Sequence, residues 1–347
     1  MNAGRNPGVI AALAAAILFG AGAPAAKLLL GSTSPWLLAG LLYLGSGVGL
    51  ALVRQFRRAE PIRLARGEVK WLAIAVATGG VIGPVLLMVG LSRMPASTAS
   101  LLLNAEAVFT ALLAWFVFHE NFDRRIALGM ALIVIGALLL SWPSEIGLVS
   151  ALPALAVLAA CLSWAIDNNL TRKIAHTDAT FIAMTKGIVA GVVNVAIAWI
   201  LGATFPSFQV VAAAATVGFF SFGASLVLFV VALRHLGAAR TGAYFSVAPF
   251  AGAIIAIVLL GETISMTLVL AVLLMGAGVW LHLTERHDHE HAHDVIEHQH
   301  EHAHDEHHRH EHDRLVPPNI RHTHPHRHDR LTHSHSHYPD AHHGHRH

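Results

Sequence analysis

The sequence contains little charge and almost no cysteine. Charged residues make up 13% of its 347 residues, hydrophobic residues make up 54%, and the mean hydropathy is +0.56. This composition excludes an ordinary soluble enzyme of this length and predicts a polytopic membrane protein. Because Cys161 is the only cysteine, an intramolecular disulfide and a zinc site built from several thiolates are excluded as well.

Motifs for catalysis and for energy coupling are also missing. The chain has no Walker-type phosphate loop and no arrangement of residues typical of an active site. We therefore predict neither an enzyme nor an ATP-driven pump, and we expect no required cofactor and no nucleic-acid partner. The first apolar run continues for a full membrane span after Arg5, so we interpret it as a helix and not as a cleavable signal peptide.

Histidine and acidic residues, which are scarce in the rest of the chain, are concentrated after Leu283. The segment 284–347 contains 23 of the 27 histidines and 12 of the 21 acidic residues, with few apolar residues. We predict that this tail is disordered without metal and that it binds divalent transition-metal ions such as nickel, cobalt or zinc. The alternative is that the tail is a low-complexity segment that arose by sequence drift and has no metal function. Most of these histidines alternate with other residues. This spacing places imidazole pairs on one side of an extended chain, at i and i+2, and also on one side of a helix, at i and i+4, so it does not select a particular metal. The predicted ligands are His287, His289, His291, His293, His298, His300, His302, His304, His322, His324, His326, His328, His333, His335 and His337.

Ten apolar segments have the length of about 20 residues that a bilayer-spanning helix needs. The predicted fold class is therefore an all-α polytopic membrane protein with ten transmembrane helices. The segments are 8–30, 35–53, 71–92, 96–118, 124–142, 149–171, 178–201, 211–233, 240–260 and 264–283.

The Lys and Arg residues of the loops predict the orientation. With a cytoplasmic N-terminus, thirteen of them fall in inner loops and only Arg93 falls in an outer loop. This bias follows the positive-inside rule. An even number of helices then places the C-terminus in the cytoplasm, so we predict a multi-pass protein of the cell inner membrane with both termini cytoplasmic.

The chain contains an internal duplication. An offset of 142 residues aligns segment 95–120 with segment 237–262, and an offset of 145 aligns Phe19 with Trp164. The repeated unit has five helices, so the second copy must enter the membrane in the opposite orientation. Inverted repeats are typical of transporters, whose substrate site lies between the halves; an inert duplicated bundle is the alternative. The predicted domains are the first repeat 8–142, the second repeat 149–283 and the tail 284–347.

One helix of the duplicated unit carries a sequence motif. Residues 101–120, LLLNAEAVFTALLAWFVFHE, contain an acid at Glu106 that is followed by Ala107, and the second copy has Pro249 at the matching place. This pattern resembles the repeat of the drug/metabolite transporter superfamily, EamA type, in which a Glu-Pro pair stands there. Here the acid and the proline are divided between the two copies.

The end of the motif supports the resemblance. The family pattern closes with Gly-Glu, which is His119-Glu120 in the first copy and Gly261-Glu262 in the second. The resemblance covers about residues 8–283. It implies a ten-helix carrier, commonly an exporter, of small metabolites or drugs.

Charged and amide side chains inside the predicted spans are candidates for transport and coupling. Glu106 lies midway along the fourth span, where an unpaired charge costs about 3 kcal/mol for insertion. It is either a carboxylate that takes up a proton or cation during transport, or a protonated side chain that bonds across helices. Asp167 and Lys186 can also pair and neutralise each other, which would make them structural. The candidates are Glu106, Asp167, Lys186, Asn104 and Asn168.

Five other residues are predicted to lie at gates or at the membrane interface. Lys27 is near the outer end of the first span and can extend to the interface through its long stem. Glu120 and Glu262 end their helices at opposite faces. Pro84 and Pro249 each free a backbone carbonyl that must find a partner or line a cavity.

Glycines occur at comparable depths in the two halves. Gly79, Gly80 and Gly83 lie in the third span, and Gly218 and Gly223 lie in the eighth. They predict either a flexible backbone or a close approach of neighbouring helices.

The sequence thus predicts a secondary-active inner-membrane exporter coupled to protons through Glu106. The favoured cargo is a divalent transition metal collected by the histidine tail. An exporter of amino acids or other small metabolites, with a metal-buffering or metal-sensing tail, is the first alternative. A membrane metal store or sensor that transports nothing is the second. The lipid bilayer and a small solute or metal ion are the predicted partners, and a homodimer is left open.

We expect reporter domains fused after Glu285 and inserted between Trp142 and Gly147 to give opposite compartment signals, because an odd number of spans separates the two sites. The measurement is a pair of compartment-specific enzyme fusions in whole cells. Equal signals from both sites would contradict the ten-span topology.

Overall fold

The computed structural model describes residues 7–59, 66–118, 124–142, 148–171, 174, 178–283, 287–293, 296–302, 322–328 and 331–337. The chain forms two compact units, Met1–Thr284 and Glu285–His347. The first unit is the apolar one and the second is the histidine tail.

The first half of the apolar unit consists of helices, one of which has a π-helical segment that we name π1. The elements are α1 (Pro7–Gly20), α2 (Gly22–Leu29), α3 (Pro35–Phe56), α4 (Arg66–Ala75), π1 (Val76–Ile82), α5 (Gly83–Ser92), α6 (Ala96–Leu102), α7 (Ala105–Phe118) and α8 (Arg124–Ser141).

The second half repeats this plan, with a second π-helical segment that we name π2. The elements are α9 (Leu148–Thr171), α10 (Ala179–Ile200), α11 (Phe208–Gly218), π2 (Phe219–Ala224), α12 (Ser225–Phe245), α13 (Ala248–Leu260) and α14 (Met266–Leu283).

In the described part of the chain, helices overlap all ten predicted spans. Seven helical stretches in the described part of the chain are long and apolar enough to cross a bilayer. Three shorter apolar helices fall on the fifth, ninth and tenth predicted spans: Ala127–Ser141, Ala248–Leu260 and Met266–Leu281. The protein is therefore a polytopic, all-α membrane protein, as its apolar pattern predicts.

One predicted joint lies inside a helix. The sequence places a loop between the eighth and ninth spans, at 234–239, but α12 continues through these residues and ends only at Phe245. The first copy has Pro95 where the second has Gly237. Proline lacks the amide hydrogen that a helix interior requires, whereas glycine keeps it, so only the first copy breaks at this position.

The fourth span is interrupted, and this moves Glu106 from mid-helix to the first turn of α7. The helix stops at Asn104, whose side-chain amide donates to Leu101 O at 2.8 Å and competes with the helical pattern. The thiol of Cys161 lies 3.6 Å from Leu102 O and occupies that freed carbonyl. The second copy is interrupted at Ser246, the position that matches Asn104.

The two π-helical segments occupy matching positions in the two copies. An offset of 142 carries π1 onto residues 218–224, and π2 is Phe219–Ala224. The glycines predicted to give flexibility or close approach lie within or beside them. A π-helical turn shifts the backbone hydrogen-bond register, which leaves a carbonyl available to side chains.

The core lies between the two halves. α3 packs on α10, α1 on α12, α5 on α9, α6 on α13 and α8 on α14. Each of these pairs joins one half to the other. In the α3 and α10 pair, a Cβ atom added at Gly187 would lie 2.7 Å from Gly47 Cα, so these backbones are in direct contact.

The tail contains strands where the sequence predicts disorder. β1 (His287–His293) pairs antiparallel with β4 (Leu331–His337), and β2 (Ile296–His302) pairs antiparallel with β3 (His322–His328). The alternation of histidine with other residues has the two-residue period of a strand. Histidine is the Cα partner of histidine at six positions, three in each pair of strands.

Candidate functional site

A charged pair lies in the membrane unit between α9 and α10. The Lys186 ammonium donates to both carboxylate oxygens of Asp167, with 2.6 Å from Nζ to Oδ1. The side chains are only 18% and 6% exposed, respectively. Thr171 donates a further hydrogen bond to Asp167 Oδ1 at 3.0 Å. The pairing that the sequence allowed for these two residues is therefore present.

Glu106 lies next to this pair. The side-chain amide of Asn168, on α9, donates to Glu106 Oε1 at 2.7 Å across the contact between α7 and α9. Asp167 and Lys186 both act electrostatically on Glu106. The site thus combines one ammonium with a buried carboxylate, that of Asp167, and a half-buried carboxyl group, that of Glu106. Four of the five predicted transport residues meet there.

π1 forms one wall of the site. Its Gly79 carbonyl accepts hydrogen bonds from Tyr43 OH and from Trp164 Nε1, both at 2.9 Å. The next carbonyl, Gly80 O, accepts from Asn194 Nδ2 at 3.1 Å. A Cβ atom at Gly79 would overlap the Asp167 carboxylate, so glycine is required for this close approach.

The sequence reasoning missed Tyr43, Trp164 and Asn194 as parts of the site. A signal was present for Trp164, because the 145-residue offset aligns it with Phe19. In the structure Trp164 contacts π1, and the Phe19 ring lies 5.9 Å from that of Phe222 in π2. The symmetry-related contact is polar in one half and aromatic in the other, which makes the two sides of the interior chemically different.

Three predicted residues lie away from the charged pair. Asn104 is buried at the break before α7, where its amide also lies 3.9 Å from the sulfur of Met275. Pro249 occupies the first turn of α13, where a missing amide hydrogen costs no helical bond. Pro84 lies inside a continuous helix, because π1 leads directly into α5. Its missing amide hydrogen removes the α-helical donor to Gly80 O, four residues earlier, and Asn194 bonds that carbonyl instead.

Lys27 and Glu262 bind backbone groups at one end of the membrane unit. Lys27 Nζ donates to the carbonyls of Leu91, at 2.5 Å, and Met94, at 2.9 Å. The sequence suggests that Lys27 extends to the membrane interface, but its ammonium instead bonds the carbonyls where α5 ends. Glu262 accepts from the amides that begin α6.

Glu120 lies outside the described residues, as do the side chains of the tail histidines. Among the side chains that the structure describes, no group of three His, Cys, Asp or Glu residues could hold a metal ion. Metal ligation in the tail therefore stays a prediction from the sequence.

The chain matches known transporters. The EamA-like transporter family matches residues 6–142 and 151–284. An uncharacterized transporter from Methanothermobacter thermautotrophicus is 30% identical over 292 residues, which cover 79% of this chain and 85% of that protein. A probable amino-acid metabolite efflux pump from Salmonella typhimurium is 44% identical over 82 residues, which cover 23% of this chain and 27% of the pump.

The fold is also similar to that of a solved crystal structure. The superposition has a TM-score of 0.60 at 16% sequence identity and covers 80% of this chain and 96% of the other. At this identity the similarity supports the fold alone.

We expect Asp167→Asn and Lys186→Met each to lower the free energy of unfolding by about 3–5 kcal/mol, because each leaves one buried charge without its partner. The double variant should lose less free energy of unfolding than either single variant, because it leaves no unpaired charge. Unfolding by SDS in mixed micelles measures all three.

The pair of Arg54 and Asp178, 3.0 Å apart, is the matched control, because its carboxylate is 43% exposed whereas that of Asp167 is 6% exposed. Its double-mutant cycle should show coupling of no more than about 1 kcal/mol. Strictly additive losses for Asp167 and Lys186 would show that the two charges do not stabilise each other.

Proposed function

The chain belongs to the EamA-like transporter family, and from this premise we propose that it exports a small zwitterionic metabolite, an amino acid or a close derivative. It is a multi-pass membrane transporter and not an enzyme. The proposed location is the cell inner membrane, with both termini in the cytoplasm.

The Asp167 and Lys186 pair beside Glu106 is the observation that supports this cargo most strongly. An amino acid can exchange with the pair: its ammonium group replaces Lys186 at Asp167, and its carboxylate replaces Asp167 at Lys186. Each buried charge keeps an opposite partner throughout. Because an unpaired charge in the membrane interior is costly, such an exchange is favoured over the entry of a single charge.

A bare divalent cation fits this site less well. The Lys186 ammonium lies within hydrogen-bond distance of the carboxylate that would have to bind the metal, and it repels cations. The described side chains also lack a three-ligand group. The geometry of the membrane unit therefore favours the metabolite alternative over the metal cargo that the sequence favours.

Glu106 is the proposed coupling residue. Asp167 and Lys186 act electrostatically on it, and Glu106 acts in turn on Tyr43 and Cys161. With Asp167 and Lys186 paired, an ionised Glu106 leaves one net negative charge, and a proton on Glu106 removes it. When the proton and the zwitterion move in opposite steps, the site is neutral with the proton bound. With the zwitterion bound it carries one net negative charge on Glu106, whose carboxylate keeps the hydrogen bond from Asn168.

The relatives support the direction and the chemical class. One of them is named a probable amino-acid metabolite efflux pump, and it matches this chain over 82 residues. We transfer its class of cargo to this chain as part of the proposal.

The test is transport by purified carrier in proteoliposomes, with each of the radiolabelled amino acids and, separately, Ni²⁺, Co²⁺ and Zn²⁺. We expect at least one amino acid to exchange and to accumulate against its gradient when a pH gradient is applied. Glu106→Gln should keep exchange but lose the pH-driven accumulation, because it removes the titratable proton and keeps the shape. Lys186→Met should lose both activities.

Glu68→Gln in α4 is the control for removing an acid elsewhere and should behave like the parent protein. Metal transport without transport of any amino acid would contradict the proposed cargo. If Glu106→Gln accumulates the amino acid at the parent rate when a pH gradient is applied, Glu106 is eliminated as the coupling residue.

A second candidate function is export of a divalent transition metal collected by the tail. The backbone register supports it: histidines are Cα partners in both strand pairs, as with His287 and His337, and with His298 and His326. The density of histidine in the tail sequence supplies many imidazoles, which are ligands for nickel, cobalt and zinc.

Truncation after Glu285 should remove most metal binding and leave an inserted carrier, because the spans satisfy their own backbone groups. Amino-acid transport should be unchanged at every metal concentration. If metal is the cargo, truncation should instead reduce metal export at low metal, where local capture raises the effective concentration.

A full-length variant with the fifteen predicted tail ligands changed to Gln separates loss of imidazole from loss of the tail. Bound metal is measured by elemental analysis of the purified proteins. A truncated protein that fails to insert would contradict an independent tail, and a carrier that moves neither amino acid nor metal would favour the store or sensor alternative.

A further inference from the structure

The joint between α5 and α6 has helix ends that need partners. α5 ends at Ser92 and α6 begins at Ala96, with Pro95 before it. Proline has no side-chain acceptor, and Pro95 makes no capping hydrogen bond. The first amides of a helix have no partner within that helix, so those of α6 require an acceptor from elsewhere in the protein.

Glu262 supplies this acceptor from the other half of the membrane unit. Its Oε1 accepts from Ala96 N at 2.6 Å and its Oε2 accepts from Ser97 N at 2.8 Å. Gly261, in a left-handed conformation with φ of 65°, ends α13 just before it and directs the chain toward α6. Both carboxylate oxygens are thus used in hydrogen bonds between the halves.

Lys27 holds the other side of the same joint. It bonds Leu91 O and Met94 O, the carbonyls that precede α6, and it attracts Glu262 electrostatically. A cation at the end of one helix and an anion at the start of the next both stabilise the interruption.

The matching position in the second copy has no interruption. An offset of 142 carries Ala96 and Ser97 onto 238 and 239, which lie inside α12. The amides there take part in helical bonds and need no external cap. The two ends of the membrane unit are therefore in different conformations, although the sequence repeats.

We propose that Glu262 is a gate residue for transport, and that its cap on α6 holds α6 against α13 and closes this end of the carrier. The charge distribution predicts that this end faces outward. Carriers with two inverted repeats expose the central site to each side in turn. The cap must then break whenever this end opens. While the end is open, Lys27 keeps the joint between α5 and α6 formed.

Ser100 offers a probe of this opening. It lies one turn deeper in α6 than Ser97, is 1% exposed, and its hydroxyl has no hydrogen-bond partner. A Cβ atom at Gly252 of α13 would lie 2.9 Å from its oxygen, so Ser100 faces the contact that the cap holds closed. Since Cys161 is the only native cysteine, a Ser100→Cys, Cys161→Ser protein carries a single thiol at this contact.

The test is the rate at which a membrane-impermeant maleimide labels this thiol in right-side-out and inside-out vesicles. Glu262→Ala removes two charge-assisted hydrogen bonds and should speed labelling about tenfold or more from one side. Glu262→Gln keeps the shape and one acceptor, so it should give a smaller increase. Ser265→Ala is the matched control: it removes the cap that Ser265 Oγ gives to Leu268 N, at 3.1 Å in the same loop, and should leave the rate unchanged.

Equal labelling of Glu262→Ala and the parent from both sides would overturn the proposal. The same increase in Ser265→Ala would also overturn it, because loss of any cap in the loop would then suffice. If Glu262→Ala does not give a monodisperse protein, Glu262→Gln decides the question, and a parent-like rate in that variant contradicts the gate. The labelling rate requires no substrate, so this result is independent of the proposed cargo.

Discussion

The requirement that every backbone polar group in a bilayer find a partner within the protein governs this structure. Interruptions of the helices expose amides or carbonyls, and at several of them a side chain from elsewhere in the protein binds these groups. The Gly79 carbonyl in π1 receives Trp164, and the joint before α6 receives Glu262. The proposed transport site and the proposed gate both lie beside such interruptions.

The charged pair follows from the same constraint applied to side chains. Asp167 and Lys186 are tolerated in the interior because they neutralise each other, and π1 permits the approach because Gly79 has no side chain. Glu106 adds a carboxyl group whose charge depends on a proton. A charge-balanced site of this kind can release one partner only when another arrives, which links the geometry to exchange of a zwitterion.

The sequence predicts the parts of the fold that depend on composition and repetition. The ten apolar segments correspond to the described helices, and the glycines at matched depths fall within or beside π1 and π2. The possible pairing of Asp167 with Lys186 was visible because two opposite charges in neighbouring spans have few other partners. The partners of Trp164 and Lys27 could not be predicted, since they are backbone carbonyls freed by interruptions whose positions depend on tertiary contacts. The break at Asn104 is of this kind, because the thiol of Cys161 in α9 bonds the Leu102 carbonyl that is freed there.

The central claim is that the site recognises both charges of its cargo. The direct measurement is the melting temperature of the purified carrier with each amino acid, and with the methyl ester and the deaminated acid of any amino acid that binds. Only the complete zwitterion should stabilise the parent protein, by about 3 kcal/mol at a hundredfold excess over its dissociation constant, and Lys186→Met should lose the effect. Equal stabilisation by the ester, or stabilisation of the truncated membrane unit by Zn²⁺ but by no amino acid, would contradict recognition of a zwitterion.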